Sequence, residues 1–483
     1  MTMAAQAELI GSPFADLERL DRLFESQRAA FGRNPMPTAE ERRQNLKLLR
    51  TALISNKEAI AAAVSADFGN RATFETLFAE ILVAAEGIKF ARRHIRRWMK
   101  VSRRDVGLLM MTTRARVHYQ PKGVVGIIVP WNYPVQLAIA PLTYALAAGN
   151  RALIKMSEFT PQTSAVLAKM LGEIFPQDLV ALVDGEAEVG AAFSAKPFDH
   201  LFFTGSTAVG RMVMAAAAKN LTPVTLELGG KSPTIIGEDI PMARAVERIC
   251  FGKALNAGQT CVAPDYVLCP KPRQEEFVTE ITKAFAGMYP RLADNPDYTS
   301  IVNDRQYDRL TSWLEDAESK GAQLVPLNPA GEEFPSAGRK IPLTLVLGAT
   351  DDMQVMQQEI FGPILPVLTY ESMDDALEYV NSRPRPLALN YFDDDAAGRR
   401  RVIAETHSGG LCLNDAVMHV ACDDLPFGGV GPSGMGAYHG HEGFLTFSHA
   451  KAVLSRPAFN SARAIYPPYG NFVQRLMMKF FLR

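Results

Sequence analysis

What the chain lacks narrows its identity before any motif is read. Its five cysteines, Cys250, Cys261, Cys269, Cys412 and Cys422, form no C-x-x-C pair and no Cys/His cluster at zinc-like spacing, so neither a disulfide framework nor a structural metal is expected. Charge of one sign is missing too. The 51 Lys and Arg against 52 Asp and Glu give a formal net charge of −1, which supplies no global attraction to nucleic acid. No apolar run reaches the length of a membrane span. The start, M-T-M-A-A-Q-A-E-L-I-G, has no basic stretch followed by a long apolar one, so a secretory signal is not expected. Free thiols without such a signal suit a reducing cytoplasm. Internal repeats and low-complexity segments are also absent.

What is present is a chain of 483 residues, 47% apolar and 21% charged, which reads as a globular protein of two or more packed units. The densest basic run is Arg92, Arg93, Arg96, Arg97, Lys100, Arg103 and Arg104, read as a solvated helix face or a set of intersubunit salt bridges. The segment Phe472–Arg483, F-V-Q-R-L-M-M-K-F-F-L-R, mixes apolar residues with cations. It is too short to span a membrane and suits either packing on protein or contact with a membrane surface.

Apolar positions at helical spacing, as in L-E-R-L-D-R-L-F and A-E-I-L-V-A-A, predict helices over residues 15–105. An alternating segment, Thr112–Pro121, predicts an extended arm. Short apolar runs then alternate with helical stretches: strands over Val124–Pro130, Arg151–Lys155, Leu179–Val183, His200–Ser206 and Val224–Leu228, with helices near Gln136–Ala148, Thr160–Ile174, Glu186–Ala195 and Thr207–Lys219. Apolar strands separated by helices imply a parallel sheet covered on both faces, an α/β architecture that suits a nucleotide. After Lys231 the alternation resumes with I-I-G, D-Y-V-L-C-P, T-L-V-L-G, I-L-P-V-L-T-Y, L-A-L-N-Y-F and G-G-L-C-L-N, enough for a second α/β unit. Pro326–Gly338 reads as a surface loop.

Two segments carry the chemistry most directly. V-T-L-E-L-G-G-K-S-P offers the carboxylate of Glu227, and L-N-A-G-Q-T-C sets the thiol of Cys261 behind small, turn-prone residues. A thiolate can attack a carbonyl and a separate base can clear the intermediate. P-W-N-Y-P holds Asn132 between two prolines, where its amide could donate to an oxyanion or equally cap the next helix. K-M-S-E puts Lys155 and Glu158 at the carboxyl end of a strand, the side where open α/β sheets bind ligands. F-T-G-S-T-A-V-G puts Gly205 and Gly210 at a strand-to-helix junction that either approaches a pyrophosphate or is an ordinary tight turn.

Together with E-I-F-G-P and P-F-G-G-V-G-P-S-G-M-G, these segments make residues 20 to 455 strongly resemble the aldehyde dehydrogenase superfamily. The resemblance implies an α/β fold with a Rossmann-type cofactor domain (1–111 and 122–229), an α/β catalytic domain (230–430), a small bridging and oligomerisation element (112–121 and 431–458) and a tail (459–483). It implies Cys261 as nucleophile, Asn132 with the Cys261 backbone N–H as oxyanion hole, and Glu227 as base. Lys155 and Glu158 would hold the adenosine ribose, Gly205 and Ser206 the pyrophosphate, and Glu359 with Phe361 the nicotinamide end. The implied cofactor is NAD, with NADP acceptable, and the implied reaction is oxidation of an aldehyde to its acid. The closing stretch resembles the class 3 branch. The contexts of Lys155, Glu227 and Cys261 resemble bacterial coniferyl aldehyde dehydrogenases, which implies a hydroxycinnamaldehyde substrate, with aromatic and medium-chain aldehydes as the alternative. A homodimer or higher oligomer is implied as well. His439, His441 and His449 fall in the family's closing stretch, so no metal is assigned to them. The remaining alternatives are release of the thioester to a thiol acceptor, against which Glu227 argues, and a non-catalytic binding protein on the same fold. A cation or a helix N-terminus beside Cys261 is expected, to favour its thiolate.

Overall fold

Consecutive residues of a strand point to opposite faces, so fully buried neighbours mark a sheet covered on both sides. Leu153 with Ile154 and Leu201 with Phe202 are all at 0% exposure. In the computed structural model, which describes residues 13–110, 112–458 and 461–482, these pairs lie in a six-stranded sheet. Its order is Gly434–Met435, Val224–Glu227, His200–Thr204, Val124–Ile128, Arg151–Lys155, Val180–Val183. The last five are parallel, and the two-residue strand Gly434–Met435 closes the edge antiparallel to Val224–Glu227. The chain runs outward from Val124–Ile128 through Arg151–Lys155, then returns to the other side with His200–Thr204. Val124–Ile128 and His200–Thr204 therefore flank a topological switch point, where the crevice of an open α/β sheet receives its ligand.

Every strand and helix predicted between residues 124 and 228 is present, the helices being Gln136–Ala148, Pro161–Ile174, Ala187–Ser194 and Thr207–Ala218. The N-terminal helices are Pro13–Arg33, Ala39–Ser55, Lys57–Phe68 and Val83–Trp98, the last entered through a π-helical turn at Leu77–Leu82; they stop short of the expected residue 105, because Ser102–Arg104 pairs as a strand instead. Ala39–Ser55 and Val83–Trp98 pack on Gln136–Ala148 around Leu46, Leu49, Ile88, Ile95 and Leu142, all fully buried. The M-T-M-A-A-Q-A-E-L-I-G segment lies outside the described residues.

A second sheet follows in the order Gln323–Pro326, Thr344–Leu347, Ile364–Tyr370, Tyr266–Pro270, Pro233–Ile236, Ala388–Phe392, Gly410–Leu413. It is parallel except for its first strand. Six of its strands match the apolar runs after Lys231, and Gln323–Pro326 is an addition. The Glu227 segment joins the two sheets, since Val224–Glu227 belongs to one and Pro233–Ile236 to the other.

A third sheet places Arg114–Pro121 between Ser102–Arg104 and Ser448–Ser455, both antiparallel to it. The predicted arm is thus a central strand with both edges taken within the chain, and the open edge of consequence is Ser448–Ser455. The helix Phe472–Phe481, capped by Asn471, leaves Phe472, Leu476 and Phe480 exposed. Among the described residues no helix is long and apolar enough to cross a membrane.

Candidate active site

The loop before Cys261 is built from three successive left-handed residues, Asn256 (φ 52°), Ala257 (φ 50°) and Gly258 (φ 73°). A side chain at Gly258 would be strained by that φ, and its Cβ would lie 2.4 Å from the Gly362 carbonyl oxygen, so only glycine lets this loop close against the E-I-F-G-P segment. Gln259 fixes the loop from inside. Its Nε2 donates to the Asn256 and Ser300 carbonyls at 3.0 and 3.1 Å, and its Oε1 accepts from Val302 N–H at 3.0 Å.

Cys261, so placed, is half-buried and lines an apolar slot of about 120 Å³ with Phe78, Leu137, Phe251, Val417 and Phe427. All five cysteines are free thiols. Burial, followed by the carboxylates of Glu359 and Glu227, pushes the Cys261 thiol up to about 12, while the backbone N–H groups of Cys261 and Val262 act in the opposite sense. This corrects the expectation of a neighbouring cation or helix N-terminus, because the charged groups acting on the thiol are carboxylates. It also brings Glu227 and Cys261, separate in sequence, into one site.

Glu227 ends its strand buried, at 3% exposure, with both carboxylate oxygens lacking a hydrogen-bond partner. Desolvation holds its proton well above the usual carboxylate range. Glu359 is pushed up to about 8 by burial and then by Asp265, with the Gly230 backbone, Lys231 and Arg309 opposing. A Cβ at Gly229 would lie 2.0 Å from the Glu359 carboxylate, so the glycine admits that side chain. Lys231 pairs with Asp265 and donates to the Val355 and Gln358 carbonyls at 2.7 and 3.1 Å, while Asp265 accepts from Ile360 N–H at 2.9 Å. The two residues thus clamp the segment bearing Glu359 and Phe361. Phe361 itself has φ 50° and meets Trp131 edge-on at 5.2 Å between ring centres.

Asn132, at 2% exposure, donates from Nδ2 to the Gln259 carbonyl at 3.2 Å, which ties it to the Cys261 loop and leaves one amide hydrogen over. It does not cap the next helix. The Glu80 carboxylate does so, accepting from Val135 and Gln136 N–H at 2.7 and 3.0 Å. Arg71, with a side chain at 0% exposure, bridges Glu80 at 2.9 Å and Glu75 at 3.2 Å and donates to the Asn132 carbonyl at 3.1 Å. Burial pulls the Arg71 guanidinium down and the two carboxylates more than restore it. Sequence reasoning missed this cluster. The signal was Glu80 standing inside the apolar stretch A-E-I-L-V-A-A.

The remaining predicted residues gather at the carboxyl ends of the parallel strands. Lys155, buried, lies 3.5 Å from Glu158 and donates to the Gly185 carbonyl at 2.5 Å. Burial lowers its ammonium below the usual lysine range, and Glu158 counters. Gly205 N–H donates to the Glu227 carbonyl at 3.0 Å. Ser206 caps the helix Thr207–Ala218 through Val209 N–H at 3.4 Å, leaving its first turn open to solvent, and the neighbouring Thr204 Oγ1 is buried without a partner. An open helix N-terminus, an unpaired hydroxyl and a lysine–carboxylate pair at one switch point fit a dinucleotide's phosphates and ribose. Among the described residues no His, Cys, Asp and Glu cluster is arranged to hold a metal. His439 is buried against Tyr438 and Phe427.

Residues 3–453 match the model of the aldehyde dehydrogenase family. The chain is 58% identical over 481 residues to a Pseudomonas aeruginosa protein named "Probable coniferyl aldehyde dehydrogenase", covering 100% of each chain. It superposes on the substrate-bound state of Staphylococcus aureus AldH with a TM-score of 0.90 at 39% identity, covering 96% of this chain and 99% of that one. A Mycobacterium tuberculosis aldehyde dehydrogenase complexed with NAD+ superposes with a TM-score of 0.83 at 29% identity, over 92% and 91% of the two chains.

Proposed function

The chain belongs to the aldehyde dehydrogenase family and oxidises aldehydes with a nicotinamide cofactor, and from that premise we propose that Cys261, Asn132 and Glu227 carry the reaction on a hydroxycinnamaldehyde such as coniferyl aldehyde. The Cys261 thiol gives its proton to water, its sulfur attacks the carbonyl carbon, and the free amide hydrogen of Asn132 with the Cys261 N–H stabilises the oxyanion that forms. When bound, the cofactor supplies the acceptor for the hydride leaving that carbon. Glu227 then takes a proton from water, whose oxygen attacks the resulting thioester, releasing the acid and the thiol.

Lys155 and Glu158 are read as the ribose contact, Gly205 and Ser206 as the pyrophosphate contact, and Glu359 with Phe361 as the nicotinamide contact. Glu158 would repel a 2′-phosphate, which favours NAD over NADP. We read 1–111 with 122–229 as the cofactor domain, 230–430 as the catalytic domain, 112–121 with 431–458 as the bridging element and 459–483 as a tail, in a cytoplasmic homodimer or higher oligomer.

The observation that carries the substrate class is the slot itself. Its walls are mostly aliphatic and aromatic, a lining that suits an apolar conjugated aldehyde, and none of its lining residues is a cation that would pair with a carboxylate-bearing one. The name of the Pseudomonas aeruginosa relative supports the same reading. The test compares kcat/KM for coniferyl aldehyde, benzaldehyde, hexanal and succinate semialdehyde, each with NAD and with NADP. Coniferyl aldehyde with NAD should lead. A lead for hexanal or benzaldehyde would leave the broader aromatic and aliphatic reading, and a lead for the semialdehyde would defeat both.

A further inference from the structure

Four polar side chains line the slot: Tyr133, Gln136, Thr260 and Cys261. The first and third satisfy each other, Tyr133 Oη and Thr260 Oγ1 lying 2.8 Å apart, and Cys261 is assigned to the carbonyl. Gln136 is left over. Its backbone N–H is held by Glu80, but its side-chain Oε1 is buried with no hydrogen-bond partner, in a residue only 8% exposed. An amide acceptor buried without a protein partner is destabilising unless something completes it, so its place in the wall of the slot suits a ligand group that donates to it.

Position adds a second argument. Gln136 and Val83 also line a small cavity behind the slot, together with Asp423 and His439, and His439 Nδ1 is likewise unpartnered. Gln136 therefore stands where the slot meets a second cavity that carries Asp423 and His439. Because Glu80 fixes the first turn of the helix Gln136–Ala148, that amide is presented from a rigid element rather than from a loop.

We propose that Gln136 is a specificity-determining residue of the aldehyde slot, its Oε1 accepting a hydrogen bond from a hydroxyl group carried by an otherwise apolar aldehyde. The inference rests on the reading of this slot as the aldehyde site and names the feature of the substrate that the slot selects. A hydroxylated aldehyde satisfies the amide, whereas an analogue that cannot donate leaves it buried and unpaired, which is the stronger form of discrimination.

The test is a ratio measured within one pair of substrates: kcat/KM for coniferyl aldehyde over kcat/KM for 3-methoxycinnamaldehyde, which adds no bulk and lacks only the hydroxyl group. In the wild type the ratio should be about tenfold or more, and in Gln136→Met, of similar length without the amide, it should fall close to one. The wild-type measurement alone stands even where the variant folds poorly. A wild-type ratio near one, or an unchanged high ratio in Gln136→Met, overturns the proposal. If every cinnamaldehyde is slow beside hexanal, the proposed substrate fails, and the ratio still judges Gln136.

Discussion

Glu227 is buried with two unpaired carboxylate oxygens, and desolvation raises its proton affinity, the condition of a carboxylate tuned towards neutral pH for proton transfer. A raised pKa means that the base form grows as pH rises, so thioester hydrolysis should speed up with pH through that range. Glu227→Gln keeps the shape and removes the base. Stopped-flow mixing should then show a burst of NADH followed by a slow steady state that has lost the rising pH limb. Loss of the burst itself would place Glu227 in an earlier step. At this scale the sequence was informative where local composition exposed a residue: the prolines around Asn132, the small residues before Cys261, the glycines after Glu227. Gln136 and Arg71 were not legible, because their meaning depends on partners that are distant in the chain.

Between elements, the Arg71 cluster joins the segment from Arg71 to Glu80, the N-terminus of the helix Gln136–Ala148 and the backbone of Asn132. Removing one member of such a buried ionic cluster leaves charges without compensation and costs about 3–5 kcal/mol. Arg71→Met should therefore lower the urea midpoint clearly, while Arg92→Met, on a part of the helix Val83–Trp98 that is only partly buried, should leave it almost unchanged. Equal midpoints for the two variants would contradict the bridging seen at Arg71. The five parallel strands of the first sheet were legible because they are continuous apolar runs ended by turn signals, whereas the two-residue strand Gly434–Met435 was not. Gln323–Pro326 was not, since Q-L-V-P is short, only partly buried and ends in proline, as an edge strand can.

For the whole molecule, the three-stranded sheet leaves, among the described residues, Ser448–Ser455 as the longer of its two edges, with an exposed Leu454. A strand of this length paired on one side only is a template for another chain. Light scattering at micromolar concentration should give at least a dimer, and a monomer would contradict that assembly. The alternating pattern of Thr112–Pro121 revealed an extended segment, but its place at the centre of that sheet follows from pairing with residues more than 300 positions away, which no local pattern records. The parallel strands could be read because each carries its own burial signal, whereas the antiparallel edge strands and the small third sheet are short or half solvated and carry little.

The central claim is that Cys261 alone among the five thiols forms the covalent intermediate. The most direct measurement is aldehyde oxidation by Cys261→Ala beside Cys250→Ala, Cys269→Ala, Cys412→Ala and Cys422→Ala, with NAD binding followed in parallel by calorimetry. Cys261→Ala should bind NAD and produce no NADH with any aldehyde, while the other four retain most of their turnover. Near-normal NADH formation by Cys261→Ala would contradict the account.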